Sequence, residues 1–166
     1  AALATASADP HVLMFDGGSR GNPGPAGAGA CLARARDGEE VWWTCEWLGA
    51  SRTNNEAEYA ALNAGLRAAC ALRHAGVLGA LTVQGDSKLV ISQVSGVWKV
   101  NAANLRPLHA EAARLLEQLA ALGPGGCELE HIPRAKNGRA DELANQAMDD
   151  EATTSGGSGN YKFGGY

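Results

Sequence analysis

Short apolar runs and segments of helical spacing alternate along this chain in an order that few folds accommodate. His11 to Phe15 is a brief apolar run, and Gly27 to Arg36 and Val41 to Leu48 are two more, the latter pair joined by the turn residues Arg36-Asp37-Gly38. Three sequential antiparallel strands follow. From Asn55 to about Ala75 the residues Tyr59, Leu62, Leu66 and Ala69 recur at helical spacing, and Ala80 to Val83 is a fourth apolar run ending at Gly85-Asp86. A second helix starts there and carries Leu89, Val90 and Val94, and Leu105 to Leu122 is the clearest amphipathic helix. Cys127 to Ile132 and Asn137 to Met148 complete the series as a strand and a helix separated by Pro133. The order β-β-β-α-β-α-α-β-α predicts an α/β domain in which helices cover a mixed sheet.

The length suits one such domain, since 166 residues of which 45% are apolar and 19% charged can bury a sizeable core. Its expected limits are residues 11–149, between a flexible N-terminal segment over 1–10 and a flexible Gly/Ser/Tyr tail over 150–166 that carries Tyr161, Phe163 and Tyr166. The Ala/Ser-rich start reads either as the remnant of a cleaved organelle-targeting peptide or as a cut boundary. The expected compartment is therefore intracellular: a mitochondrion or chloroplast in the first case, cytoplasm or nucleus in the second. No run approaches the roughly 18 to 20 apolar residues that span a bilayer, so no membrane partner is expected. Cys31, Cys45, Cys70 and Cys127 form no C-x-x-C pair and have no His at zinc spacing, which predicts reduced core thiols. Lys and Arg total 14 against 18 Asp and Glu, a net charge of −4 that does not announce a nucleic-acid binder. If four of the acids faced metal ions, however, those remaining would balance the basic residues.

Four acids stand at the ends of predicted elements, where carboxylates can gather around divalent metal. Asp16 ends the first strand beside Gly17-Gly18, and taken alone it also reads as the start of an Asx-turn. In TNNEAEY, Thr53 followed three residues later by Glu56 is a capping box, which assigns Glu56 to the helix start. Glu58 points instead toward the core side, one turn before Leu62, where an unpaired carboxylate needs a partner such as a metal. Asp86 also reads as the N-cap of the next helix, and Asp141 in the first turn of the last helix is favoured by the helix dipole. Such explanations give no reason for all four sites to occur together.

DGGSRGNPGPAGAG, TNNEAEYAALNAGL, QGDSKLVISQVSG and HIPRAKNGRADELANQA resemble, in order and spacing, the motifs of type 1 ribonuclease H, over about Val12 to Met148. The resemblance implies a five-stranded mixed sheet in the order 3-2-1-4-5 with helices on both faces. It implies an endonuclease that cuts the RNA strand of an RNA–DNA hybrid, leaving 5′-phosphate and 3′-hydroxyl ends. Carried over, Asp16, Glu58, Asp86 and Asp141 would be the catalytic, metal-binding acids for two Mg²⁺ ions, with Mn²⁺ as a substitute. Asp16 would bridge both ions, Asp141 would complete the site that activates water, and Glu58 and Asp86 would hold the ion on the leaving 3′-oxygen. Two ions about 4 Å apart stabilise both the incoming and the departing oxygen of an in-line displacement, and Mg²⁺ takes hard oxygen ligands. Selectivity for ribose requires reading the 2′-hydroxyl. The matching substrate-binding positions are Ser19, Asn22, Thr53, Asn54, Asn55 and Lys88. The expected partner is an RNA–DNA hybrid and the expected state a monomer, unless the chain serves in a larger assembly.

The glycines of GGSRGNPGPAGAG are expected to let backbone approach a minor groove. A nucleotide P-loop is excluded by the lack of G-K-[ST] and by Pro23 and Pro25, which remove two amide donors. Arg20, Arg52, Arg134, Lys136 and Arg139 are candidate phosphate contacts. Two departures from the family pattern stand out. The Trp- and Lys-rich basic protrusion of some members is missing, and only GVWKVNAANLRP, with Trp98, Lys99 and Arg106, links the two helices, so hybrid binding is expected to be modest and salt-sensitive. His131, ten residues before Asp141, falls at the position of the family's mobile-loop histidine but within a strand-like EHIPR segment. It is a candidate catalytic residue for proton transfer or product release, and equally an ordinary strand-end histidine. The alternative from another class is a catalytically silent subunit of the same fold. The presence of all four acids argues against it, because a binding module has no use for that charge beside phosphate. A reverse-transcriptase-derived domain would share the chemistry.

Overall fold

A computed structural model of the chain describes residues 8–123 and 125–157. Its elements run β1 (Asp9–Ser19), β2 (Gly24–Arg34), β3 (Glu40–Arg52), α1 (Asn54–His74), β4 (Leu78–Gly85), α2 (Lys88–Val94), α3 (Arg106–Ala121), β5 (Cys127–His131), α4 (Gly138–Asp150) and β6 (Thr154–Gly156), with a short 3-10 turn at Arg134–Lys136. β1 starts at Asp9, inside the segment expected to be flexible. β1, β2 and β3 form an antiparallel meander, while β4 runs parallel to β1 and β5 parallel to β4.

The strand order is β5-β4-β1-β2-β3-β6, so the expected 3-2-1-4-5 sheet is present with a sixth strand added. This corrects the five-stranded expectation, and also that of a flexible tail beginning at residue 150. Thr154 to Gly156 pair antiparallel with Cys45 to Trp43 on the outer edge of β3. An open edge strand presents unpaired backbone groups, and three residues of β6 cover part of this one. Gly156 seats against the Trp43 indole, where a Cβ would come within 2.9 Å of ring atoms. Tyr161, Phe163 and Tyr166 lie outside the described residues.

Side-chain alternation divides the sheet into two faces. Leu13, Phe15, Ala28, Ala30 and Leu32 belong to the larger core, shared with Tyr59, Leu62 and Leu66 of α1 and with Leu115 and Leu119 of α3. Met14, Cys31, Trp43 and Cys45 meet Leu143 and Ala147 of α4 on the other face. Burial of each such Leu or Phe contributes roughly 1.5–3 kcal/mol. The cysteines are free thiols, three of them buried. No described helix is long and apolar enough to cross a membrane.

Glycines of the glycine-rich strand serve packing within the protein. A Cβ at Gly29 would lie 2.4 Å from the carbonyl oxygen of Ala140 and 2.6 Å from the nitrogen of Ala144, so α4 rests directly on β2 backbone. Gly29→Ala is expected to lift α4 and to cost at least the roughly 1–3 kcal/mol typical of overpacking, seen as a lower urea midpoint. An unchanged midpoint would mean that α4 shifts freely on the sheet.

Candidate active site

The parallel register pairs Phe15 of β1 with Gly85 of β4, where that ladder ends. The next residue in each segment is an acid: Asp86 follows the end of β4, while Asp16 does not end its strand as expected but stays in β1, paired with Gly29 of β2. Asp86 is not a helix cap: Ser87 occupies the N-cap of α2, its Oγ accepting from the Val90 N–H at 3.2 Å. The N-cap reading of Asp86 is thus corrected. Its Oδ1 instead accepts from Asn137 Nδ2 at 3.2 Å.

Glu58 arrives from α1. The capping box read in the sequence is formed: Thr53 Oγ1 accepts from the Glu56 N–H at 3.1 Å and Glu56 Oε1 accepts from the Thr53 N–H at 3.0 Å. Glu56 is therefore taken up by the helix start, as is the hydroxyl of Thr53. Two residues on, α1 crosses β1 so closely that a Cβ at Gly17 would sit 2.2 Å from the Ala57 carbonyl and 2.5 Å from the Glu58 nitrogen. Glycine alone permits that approach. The Gly17 N–H, freed of a side chain, donates to Asp16 Oδ1 at 3.0 Å and to Glu58 Oε2 at 3.2 Å, aligning two carboxylates with one amide.

The result is a cluster. One carboxylate oxygen from each of Asp16, Glu58 and Asp86 lies within 4.8 Å of the others. Asp141, in the first turn of α4, lies near enough to raise the Asp16 carboxyl. All four line a cleft of about 430 Å³ together with Ser19, Arg20, Asn54 and Arg134. Asp16 is only 8% exposed. Burial, and next the charge of Asp86, push its carboxyl up to about 7. Burial, followed by the charges of Asp16 and Asp86, pushes Glu58 up to about 10. Carboxylates forced together and out of water resist ionisation, and a divalent cation among them removes that resistance. Hard oxygen donors are also what Mg²⁺ takes, so the residues present fit such an ion.

Residues 14–147 match the family model described as reverse transcriptase-like. The fold superposes on LC11-RNase H1, in a structure described as a complex with RNA/DNA hybrid, with a TM-score of 0.76 and 34% identity, covering 85% of this chain and 98% of that one. The chain belongs to the ribonuclease H family. The N-terminal RNase H domain of a bifunctional protein of Mycobacterium tuberculosis is 42% identical, with a TM-score of 0.74 over 84% of this chain and 99% of that domain structure. Ribonuclease HI of Halobacterium salinarum is 43% identical over 136 residues, 82% of this chain and 63% of that protein. The chain spans about a third, 35%, of the length of the mycobacterial bifunctional protein. The RNase H1 neighbours agree with the type 1 resemblance.

On this ribonuclease H frame, two of the residues expected to read ribose, Ser19 and Asn54, line the cleft, and a third, Asn22, is tied to them. Asn54 Oδ1 accepts from the Ser19 N–H at 2.8 Å and from Ser19 Oγ at 3.1 Å, while Asn22 Oδ1 accepts from the Asn54 N–H at 3.0 Å. Lys88 lies outside that group, its Nζ 5.9 Å from the Trp98 ring centroid. Asn55 is half-buried in the first turn of α1. His131 is exposed at the end of β5, its Nε2 3.2 Å from the Asp86 carbonyl oxygen, and it is not among the residues lining the cleft. Arg134 is, with its guanidinium 4.0 Å from Asp141. Arg20 lines the cleft too and pairs with Asp149, while Arg52 is engaged with Glu56 and Arg139 with Glu40. No local pattern signals the Asn137 contact to Asp86, because an asparagine just before a helix reads as a cap.

The two glutamates of α1 are separable by experiment. Glu56→Gln keeps the capping box, since Gln also serves at that position, and is expected to leave stability within about 0.5 kcal/mol and divalent-cation binding intact. Glu58→Gln is expected to weaken cation binding about tenfold or more. Calorimetric titration with Mn²⁺ compares them, and equal losses in both variants would contradict the assignment.

Proposed function

We propose that this chain is a divalent-metal-dependent endonuclease that hydrolyses the RNA strand of RNA–DNA hybrids. The observation that carries the reading is the convergence of Asp16, Glu58, Asp86 and Asp141 from four different parts of the fold into one cleft, three of them with oxygens within 4.8 Å of one another. The relative described in complex with an RNA/DNA hybrid supports the substrate class.

Asp16, at the centre of the cluster, would be shared between two ions; Asp141 would complete the ion site on the side of the attacking water, and Glu58 and Asp86 that on the side of the leaving 3′-oxygen. Bound there, two divalent ions supply positive charge to the oxygens entering and leaving phosphorus. The protein's own part is positioning. The Gly17 N–H fixes the orientation of Asp16 and Glu58, and the raised pKa of both makes their full ionisation dependent on the counter-charge. Ser19, Asn22 and Asn54 are linked to one another at the cleft edge, a rigid polar strip suited to a 2′-hydroxyl. The loop between α2 and α3 leaves Val97 75% exposed and Trp98 44% exposed, with Lys88 Nζ 5.9 Å from the Trp98 ring. One chain supplies all four acids, so a monomer suffices.

The test is incubation of the pure protein with a labelled hybrid in Mg²⁺ and in EDTA, with duplex DNA and duplex RNA alongside. Cleavage of the hybrid alone, in Mg²⁺ alone, with 5′-phosphate products, is the expected result. Tight hybrid binding without cleavage would establish the silent-subunit reading instead.

A further inference from the structure

We propose that Asn137 is a positioning residue that sets the geometry of the acidic cluster by holding the supports of three of its four acids. The inference rests on the metal-site reading above. Asn137 is fully buried, at 0% exposure, between the 3-10 turn and α4. It occupies the N-cap position of α4, yet its side chain makes no capping bond. Instead Nδ2 donates to the Phe15 carbonyl oxygen at 2.9 Å and to Asp86 Oδ1 at 3.2 Å. Its own carbonyl accepts from the Asp141 N–H at 3.1 Å. One residue therefore touches the peptide just before Asp16, the carboxylate of Asp86 and the backbone of Asp141.

The placement answers a specific mechanical problem. Backbone pairing between β1 and β4 stops at Phe15 and Gly85, and immediately beyond it two carboxylates face each other. Their repulsion acts to spread the strand ends. The Asn137 amide spans that gap, replacing the missing ladder bond with a side chain anchored on α4. Both groups it meets are acceptors, which fixes the nitrogen toward them, and the task needs two N–H donors on one atom. Serine supplies one donor; aspartate supplies none when ionised and adds another charge. Asn137 Oδ1, the atom that a capping asparagine would use, is buried without a hydrogen-bond partner among the described residues. A buried acceptor left idle calls for an explanation, and the donors of the same amide provide it.

The test is Mn²⁺ binding by isothermal titration calorimetry without hybrid, together with steady-state hydrolysis over a Mg²⁺ series and melting in EDTA, on wild type, Asn137→Ala and Asn137→Ser. Loss of a partner that orients a metal ligand typically costs about 10–100-fold, so Asn137→Ala is expected to bind Mn²⁺ that much more weakly, with Asn137→Ser between it and wild type. The Mg²⁺ requirement of hydrolysis should rise and kcat fall, with KM for the hybrid within about twofold, because the hybrid-facing rim is untouched. A residue that only supports the fold would lower the melting temperature and leave Mn²⁺ affinity at the wild-type value. That result overturns the proposal. Should Asn137→Ala not fold, the same comparison is made on Asn137→Ser, with weakened binding supporting the proposal and wild-type binding overturning it. A wild-type protein that binds no Mn²⁺ would overturn the metal-site reading itself.

Discussion

Asp16→Asn is expected to reduce hydrolysis of the RNA strand in Mg²⁺ by about 10³-fold or more while leaving the protein folded. The substitution is isosteric and keeps an oxygen to accept the Gly17 N–H, a bond of 3.0 Å in the native chain. What it removes is a buried negative charge that the cluster shares with Glu58, Asp86 and Asp141. The metal-free variant should be no less stable than wild type, since the repulsion and desolvation that push Asp16 up to about 7 vanish with its charge. Lost activity with undiminished stability is a combination that a merely structural residue cannot produce. Initial rates in Mg²⁺ and thermal melts in EDTA measure the two halves, and near-normal turnover would remove Asp16 from the site.

Glu58 and Asp86 mark how far the sequence can be read. Glu58 is separable from Glu56 because a capping box is a local pattern, complete within four residues, and the structure forms it. Asp86 reads wrongly as a cap because its true neighbours come from a parallel register with β1 and from the turn before α4, the latter contact 51 residues away, and no local spacing encodes either. The helices are legible for the same reason as the capping box: Tyr59, Leu62 and Leu66 repeat at helical spacing and are all fully buried. β6 is not, since Thr-Ser-Gly has no apolar alternation and its strand conformation comes wholly from the open edge of β3. The glycines are visible in the sequence but their purpose is ambiguous there. Close approach is the right inference at Gly17 and Gly29, and what approaches is the protein's own helices.

The acidic cluster also has to make the metal-free protein sensitive to pH. A carboxyl whose folded pKa is raised binds more protons in the folded state than in the unfolded chain, so its contribution to stability is complete below the unfolded value and is lost as pH rises. For Asp16 the window runs from 3.8 to about 7, and for Glu58 from 4.5 to about 10. Each tenfold change in proton affinity corresponds to about 1.4 kcal/mol. Burial and the charge of Asp86 raise both acids, and values belonging to a coupled pair are not additive, so the combined loss between pH 5 and pH 8 is expected to be a few kcal/mol, on the order of 2–4. Urea midpoints in EDTA should fall across that interval for wild type. Glu58→Gln removes the more strongly raised group, so its curve should be flatter and its midpoint at pH 8 higher than that of wild type. Ionisations elsewhere in the molecule are common to both proteins and cancel in the difference. Mg²⁺ must act in the opposite sense at pH 8, because an ion bound by the folded cluster alone stabilises it by about 2.7 kcal/mol at 100 times its Kd. That gain should fall by about half or more in Glu58→Gln at the same Mg²⁺ concentration. Parallel pH curves for the two proteins, with equal protection by Mg²⁺, would mean that the carboxylates do not share a cation and that their proximity has another cause.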